Sequence, residues 1–146
     1  MQDEVEKYHK LQKDKKEKLL EKYADKTFVH DGLMWQDMKI NEEIKMNMIE
    51  QKIYCRDLVL ADRKDWRLPT FYELLSLVKY DKSNPSSLEK IRYIKPASYL
   101  SSSKDIQKKA YYWVVDFREG LTTTQSELER YYGRCVRTLS TKKGEY

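Results

Sequence analysis

Asp65-Trp66-Arg67-Leu68-Pro69-Thr70-Phe71-Tyr72-Glu73-Leu74-Leu75-Ser76-Leu77-Val78 is the stretch from which the fold can be read. Thr70 and Glu73 have the spacing of a capping box, in which each side chain satisfies an orphan backbone N–H at the other residue. Pro69 biases Leu68 towards extended geometry, so a helix begins no earlier than Thr70. Leu74, Leu75, Leu77 and Val78 then form a strongly apolar turn and a half. Just upstream, Asp65 and Arg67 flank the large ring of Trp66. A structural corner follows: Trp66 in the core, Arg67 paired with a carboxylate or with backbone carbonyls. The functional alternative is a ligand contact from Asp65 or Arg67.

Upstream of this corner, Asn41 to about Leu60 reads as a helix, with Asn41 as N-cap and Glu42 and Glu43 suiting the positive helix end. Ile44, Met48, Ile49, Ile53, Cys55 and Leu58 supply an irregular apolar stripe, and Cys55 faces inward. Further upstream, Phe28-Val29-His30 and Leu33-Met34-Trp35 flank Asp31-Gly32, a strong type I′ hairpin signal. Residues 1–26 are a charge run, eight Lys against seven Asp or Glu, without Gly or Pro. They are expected to form a charged helix or stalk, with Leu19, Leu20 and Tyr23 as its most apolar end.

Downstream, Asp81 to Ser87 has loop composition. Tyr99 to Ser103 reads as a short strand, and Lys104 to Lys109 as a surface loop. Tyr111 to Phe117 is the clearest strand, and its near-continuous apolarity suggests a central one. Leu121 to Tyr132 reads as a further loop. Arg134 to Leu139 alternates as a half-buried strand should, with Arg134 and Cys135 on opposite faces. Residues 142–146 form a frayed tail. Two helices among short antiparallel strands make an α+β domain over residues 27–141, whose first and last strands can pair.

Composition bounds the function. At 146 residues the chain suits one domain plus an extension. No apolar run is long enough for a membrane span, and the N-terminus lacks the apolar core of a signal peptide. The net charge of +5 permits polyanion binding without arguing for it. Cys55 and Cys135 lie outside any C-x-x-C pair, and two histidines make no zinc-type cluster. From composition alone, a disulfide and two buried thiols remain equally open.

Several pieces occur in order: Gly32-Leu33-Met34-Trp35-Gln36-Asp37, Tyr54-Cys55-x-x-Leu58, the Asp65 to Leu77 corner, Tyr99-Leu100-Ser101-Ser102-Ser103, Trp113-Val114-Val115-Asp116-Phe117 and Gly133-Arg134-Cys135-Val136-Arg137. Together they resemble the C-terminal domain family of the Legionella collagen-like adhesin, over about residues 28–139. The chain departs from the family pattern at Leu100, where the family usually has Trp, and at Ala61 to Lys64, which replaces a Gly-rich turn. The resemblance implies a C-type-lectin-like fold, an exported protein of the periplasm or cell surface, binding of a sulfated or acidic glycan, and self-association into a homo-oligomer. It also implies that Cys55 and Cys135 form a disulfide, which fits an oxidising compartment. That bond would remove the reactive-cysteine chemistry of the related formylglycine-generating enzymes.

The motifs with which C-type lectins hold calcium are absent, so no metal site and no cofactor are expected. Asp116 sits within an apolar strand and needs a partner, with Arg67, Arg134 and Arg137 as candidates. Arg92, Lys95, Lys104, Lys108 and Lys109 cluster in sequence among tyrosines that include Tyr111. Such a mixture suits an anionic glycan, with cations for the acid groups and ring faces for the sugar; an ordinary solvated basic surface is the plain alternative. No nucleic-acid-binding motif is visible. The expected function is therefore a binding module without catalysis. The alternative is a structural module of the envelope that associates with an envelope protein or itself through the N-terminal helix.

Overall fold

The computed structural model describes residues 4–7, 10 and 26–139. Residues 4–7 and 10 are helical. The rest of the expected N-terminal helix, apart from Lys26, lies outside the described residues, as does the expected tail.

Two three-stranded antiparallel sheets form the frame. The first has the order β1 (Thr27–His30), β2 (Leu33–Gln36) and β6 (Val136–Thr138). The Asp31-Gly32 turn joins β1 to β2 with positive φ at both residues, 51° and 74°, as a type I′ turn requires. The last strand pairs with β2 and not, as expected, with the first strand; both ends of the domain still meet in one sheet. The second sheet has the order β3 (Ser98–Lys104), β4 (Tyr111–Asp116) and β5 (Leu121–Ser126). Residues 121–132, expected as a loop, begin instead with an edge strand, Leu-Thr-Thr-Thr-Gln-Ser, paired residue by residue with β4. Three β-branched threonines suit that pleated surface despite their polarity.

The upstream helix is shorter than expected. It is α1, Met48–Asp57, and its N-cap is Asn47, in a reciprocal capping box with Glu50. Asn41 lies in a 3-10 turn, Lys39–Glu42, where it accepts from the Met38 N–H and donates to Gln36 and to the Gly133 carbonyl. Those bonds use the side chain that an N-cap needs. The corner helix, α2, Phe71–Leu75, begins as expected, with the Thr70–Glu73 box closed in both directions.

Neighbouring residues on the same strand serve two cores. Met34, Leu100, Val114 and Cys135 pack with α1, Trp66 and Tyr112, whereas Trp35, Tyr99, Val115 and Val136 pack with Leu74, Leu77 and Phe117. Period-two alternation thus buries both faces. Cys55 of α1 and Cys135, just before β6, form a disulfide with Cα atoms 5.6 Å apart.

The corner ties these layers together. Arg67 pairs through its backbone with Val136 in both directions. Its guanidinium grips both Glu73 oxygens at 2.7 and 2.9 Å, so the residue that caps α2 is also held to the sheet. Asp65 grips the buried Arg137 at 2.7 and 3.2 Å. The indole N–H of the buried Trp66 donates to the Leu60 carbonyl. Arg134 is wholly buried, not half-exposed as strand alternation suggested. It donates to Asp37 at 3.3 Å and to the carbonyls of Gln36 and Tyr93. Asp116 pairs with Arg118, two residues on, at 2.6 and 2.9 Å. That nearby partner displaces the three distant arginines expected: Arg134 and Arg137 are committed to Asp37 and Asp65, and Arg67 to Glu73.

Three outcomes follow for stability. Replacing both cysteines with serine should cost about 4 kcal/mol, because the bond closes a long loop; urea denaturation of the two proteins measures it. Asp37→Ala should cost about 3–5 kcal/mol by leaving a buried guanidinium without its acid, and a loss below about 1 kcal/mol would show that the carbonyls suffice. The Arg67 hydrogen bond holds the Glu73 carboxyl below its usual range, and the Arg137 bond does the same for Asp65. A depressed carboxylate stabilises the fold fully above its unfolded value and loses that contribution as pH falls through the folded one. The urea midpoint should therefore drop as pH falls below about 4, with a shallower drop in Glu73→Gln.

Candidate functional site

The structure divides the basic residues singled out in the sequence into two places. Lys104, Lys108 and Lys109 lie exposed around the β3–β4 turn. Asp105 shapes this turn by accepting from the backbone N–H groups of Gln107 and Lys108 and from the Thr124 hydroxyl. These bonds, the Gln107 N–H foremost, lower its pKa. The Lys108 ammonium sits 3.8 Å from the centroid of the half-buried Tyr111 ring, a cation–π arrangement. Arg92 and Lys95 lie near the opposite end of β3. Arg92 donates to Asp37 through its backbone N–H and its Nε, at 3.2 and 3.3 Å. The Lys95 N–H donates to the Tyr99 hydroxyl, which burial pushes up to about 12. The length of β3, roughly 20 Å, separates the groups, so the five cations do not form one patch. Arg92 is also partly spent on holding its own loop.

The fold assembles a second concentration of positive charge. An open groove of about 570 Å³ runs between α1, the corner and β3. Lys52 and Arg56 border it from the exposed side of α1; Lys64 and Arg67 border it from the corner. Trp66 and Leu68, both buried, lie beneath it, and Thr70 and Ser102 line it with hydroxyls. Lys52 lies 5.5 Å from the Tyr112 ring centroid, and Lys104 is the cross-strand partner of Tyr112. Opposed residues in antiparallel strands are close neighbours, so Lys104 stands at the rim of the groove, between it and the turn. Arg67 is held by Glu73, and Arg56 by the exposed Asp57 at 3.0 Å. Among the described residues, Lys52, Lys64 and Lys104 have no carboxylate within 4.0 Å. The signal available in the sequence was the i,i+4 spacing of Lys52 and Arg56; the fold alone adds Lys64.

A smaller groove of about 350 Å³ has a different electrostatic character. Its Arg118 is held by Asp116, its Arg130 lies 3.6 Å from Glu50, and Glu129 accepts from the Tyr131 hydroxyl. Burial, and Glu129 after it, push the Tyr131 hydroxyl pKa upwards. Most of this charge is internally compensated.

Among the described residues no helix is long and apolar enough to cross a membrane. Comparison with curated proteins gives no match. Residues 28–137 match the family model described as the Lcl C-terminal domain. That span takes in the hairpin, the disulfide, the corner and nearly all of both sheets, and the chain belongs to this family of adhesin-related domains.

Proposed function

We propose that this domain is a non-catalytic binding module of an exported bacterial protein, at the cell surface or in the periplasm, and that it recognises an anionic glycan. Membership of an adhesin-related family supports an extracellular or surface role. The α+β frame with one disulfide and long loops is compatible with a C-type-lectin-like scaffold. The observation that carries the glycan reading is the β3–β4 turn. There Lys104, Lys108 and Lys109 stand exposed, and Lys108 lies directly over the Tyr111 ring. Ammonium groups answer the acid substituents of a sugar chain, and an aromatic face answers its C–H surface.

Heparin affinity tests the proposal. The intact chain should bind at physiological salt, and charge reversal at Lys104, Lys108 and Lys109 should weaken binding by about tenfold or more. Retention seen only at low ionic strength would mark a non-specific charge effect. Unchanged binding in the triple variant would remove the turn from the site.

A further inference from the structure

We infer that the groove between α1, the corner and β3 is a polysaccharide seat, with Lys52 and Lys64 as the residues that contact anionic groups of the ligand. The inference rests on the anionic-glycan reading and deepens it by assigning a site away from the tip of the turn.

Three features distinguish the groove from an ordinary basic surface. First, its lysines are uncommitted. Lys52 faces an aromatic ring, and among the described residues neither Lys52 nor Lys64 has an acid within ion-pair distance. In the smaller groove both arginines face acids, and Lys45, over the Tyr132 ring, is its one lysine. An anionic ligand therefore need not break a protein ion pair to reach Lys52 or Lys64.

Second, the groove offers hydrogen-bonding groups beside its charge. Thr70 and Ser102 line it with hydroxyls, while Trp66 and Leu68 lie buried beneath them. The hydroxyl edges of a sugar ring find a counterpart in these groups. An anionic lipid surface is a poorer match, since bilayers are entered by protruding apolar side chains rather than received in a recess.

Third, the walls are fixed. Lys52 is on a helix held by the Cys55 disulfide, and Ser102 is pinned by its backbone bond to Pro69. Arg67 is fixed by its two bonds to Glu73 and a further one to Thr138. It contributes field and shape rather than a mobile ligand contact. A prearranged site loses less freedom on binding. Lys104 connects the groove rim to Lys108 and Lys109, so a chain seated in the groove can continue towards the turn.

Titration of the intact protein with a heparin oligosaccharide, its desulfated counterpart and vesicles of phosphatidylcholine and phosphatidylserine in equal parts tests the assignment. Lys52→Glu/Lys64→Glu should weaken heparin binding by about tenfold or more and reduce its salt dependence. Lys52→Arg/Lys64→Arg should keep most of the affinity, and the desulfated chain should bind poorly to every variant. Lys39→Glu/Lys90→Glu makes the same change of net charge away from the groove and should leave binding nearly intact. All four charges are exposed, and matching circular dichroism spectra would confirm that each variant is folded.

An equal loss in the remote variant would overturn the groove in favour of net charge. Loss on reversing Lys108 and Lys109, with none on reversing Lys52 and Lys64, would overturn the groove while leaving the glycan reading intact. No heparin binding by the parent would overturn both. Vesicle binding that depends on Lys52 and Lys64 would overturn the polysaccharide assignment in favour of a lipid surface.

Discussion

A guanidinium without access to water needs compensation from several directions, and Arg134 has it. Asp37 supplies the negative charge, two backbone carbonyls accept its hydrogens, and the rings of Phe28 and Tyr99 lie within 5.8 and 6.0 Å of its central carbon. Burial alone pulls its pKa down. Asp37 in turn accepts from the backbone of Arg92 and Tyr93. One buried charge pair therefore joins the end of β2, the segment before β3 and the approach to β6. Removing either partner would leave the other stranded in a low-dielectric interior, a larger penalty than the net value of the pair itself.

The ionic contacts form a hierarchy of exposure. Arg134 and Asp37 are sealed; Arg137 is buried against a largely exposed Asp65; Arg67 and Glu73 are partly open at a helix start. Each connects segments that are separate in sequence or caps an element. The uncommitted lysines lie outside these pairs, where water solvates them. The same fold thus separates charges that hold the chain together from charges left available to a visitor.

What was legible in the sequence had a local cause. The Asp-Gly hairpin, the Thr70–Glu73 box and the apolar run of β4 are each specified by residues close together, and each appears where expected. The disulfide came from the family resemblance, not from spacing. Asn41 misled because an asparagine before two glutamates looks like a cap, while its bonds to Gln36 and Gly133 depend on tertiary neighbours. β5 was missed because its threonines are polar, although their branching suits a strand. Arg134 was offered to Asp116 because its actual partner, Asp37, lies 97 positions away. The groove was hidden for a related reason: α1, the corner and β3 supply its walls from three separate segments.

The arrangement around β2 has a mechanical consequence. β1 and β6 flank β2 and are both antiparallel to it, so they run parallel to each other. The chain enters β1 beside Asp37, and Leu139, leaving β6, bonds back to Gly32 at the far end of β2. Opposed tension applied at these two points would act along the strands, loading their hydrogen bonds together in shear instead of unzipping them singly. The sulfur bridge would exclude residues 56–134, the corner and the second sheet among them, from the extension while the first sheet takes the strain.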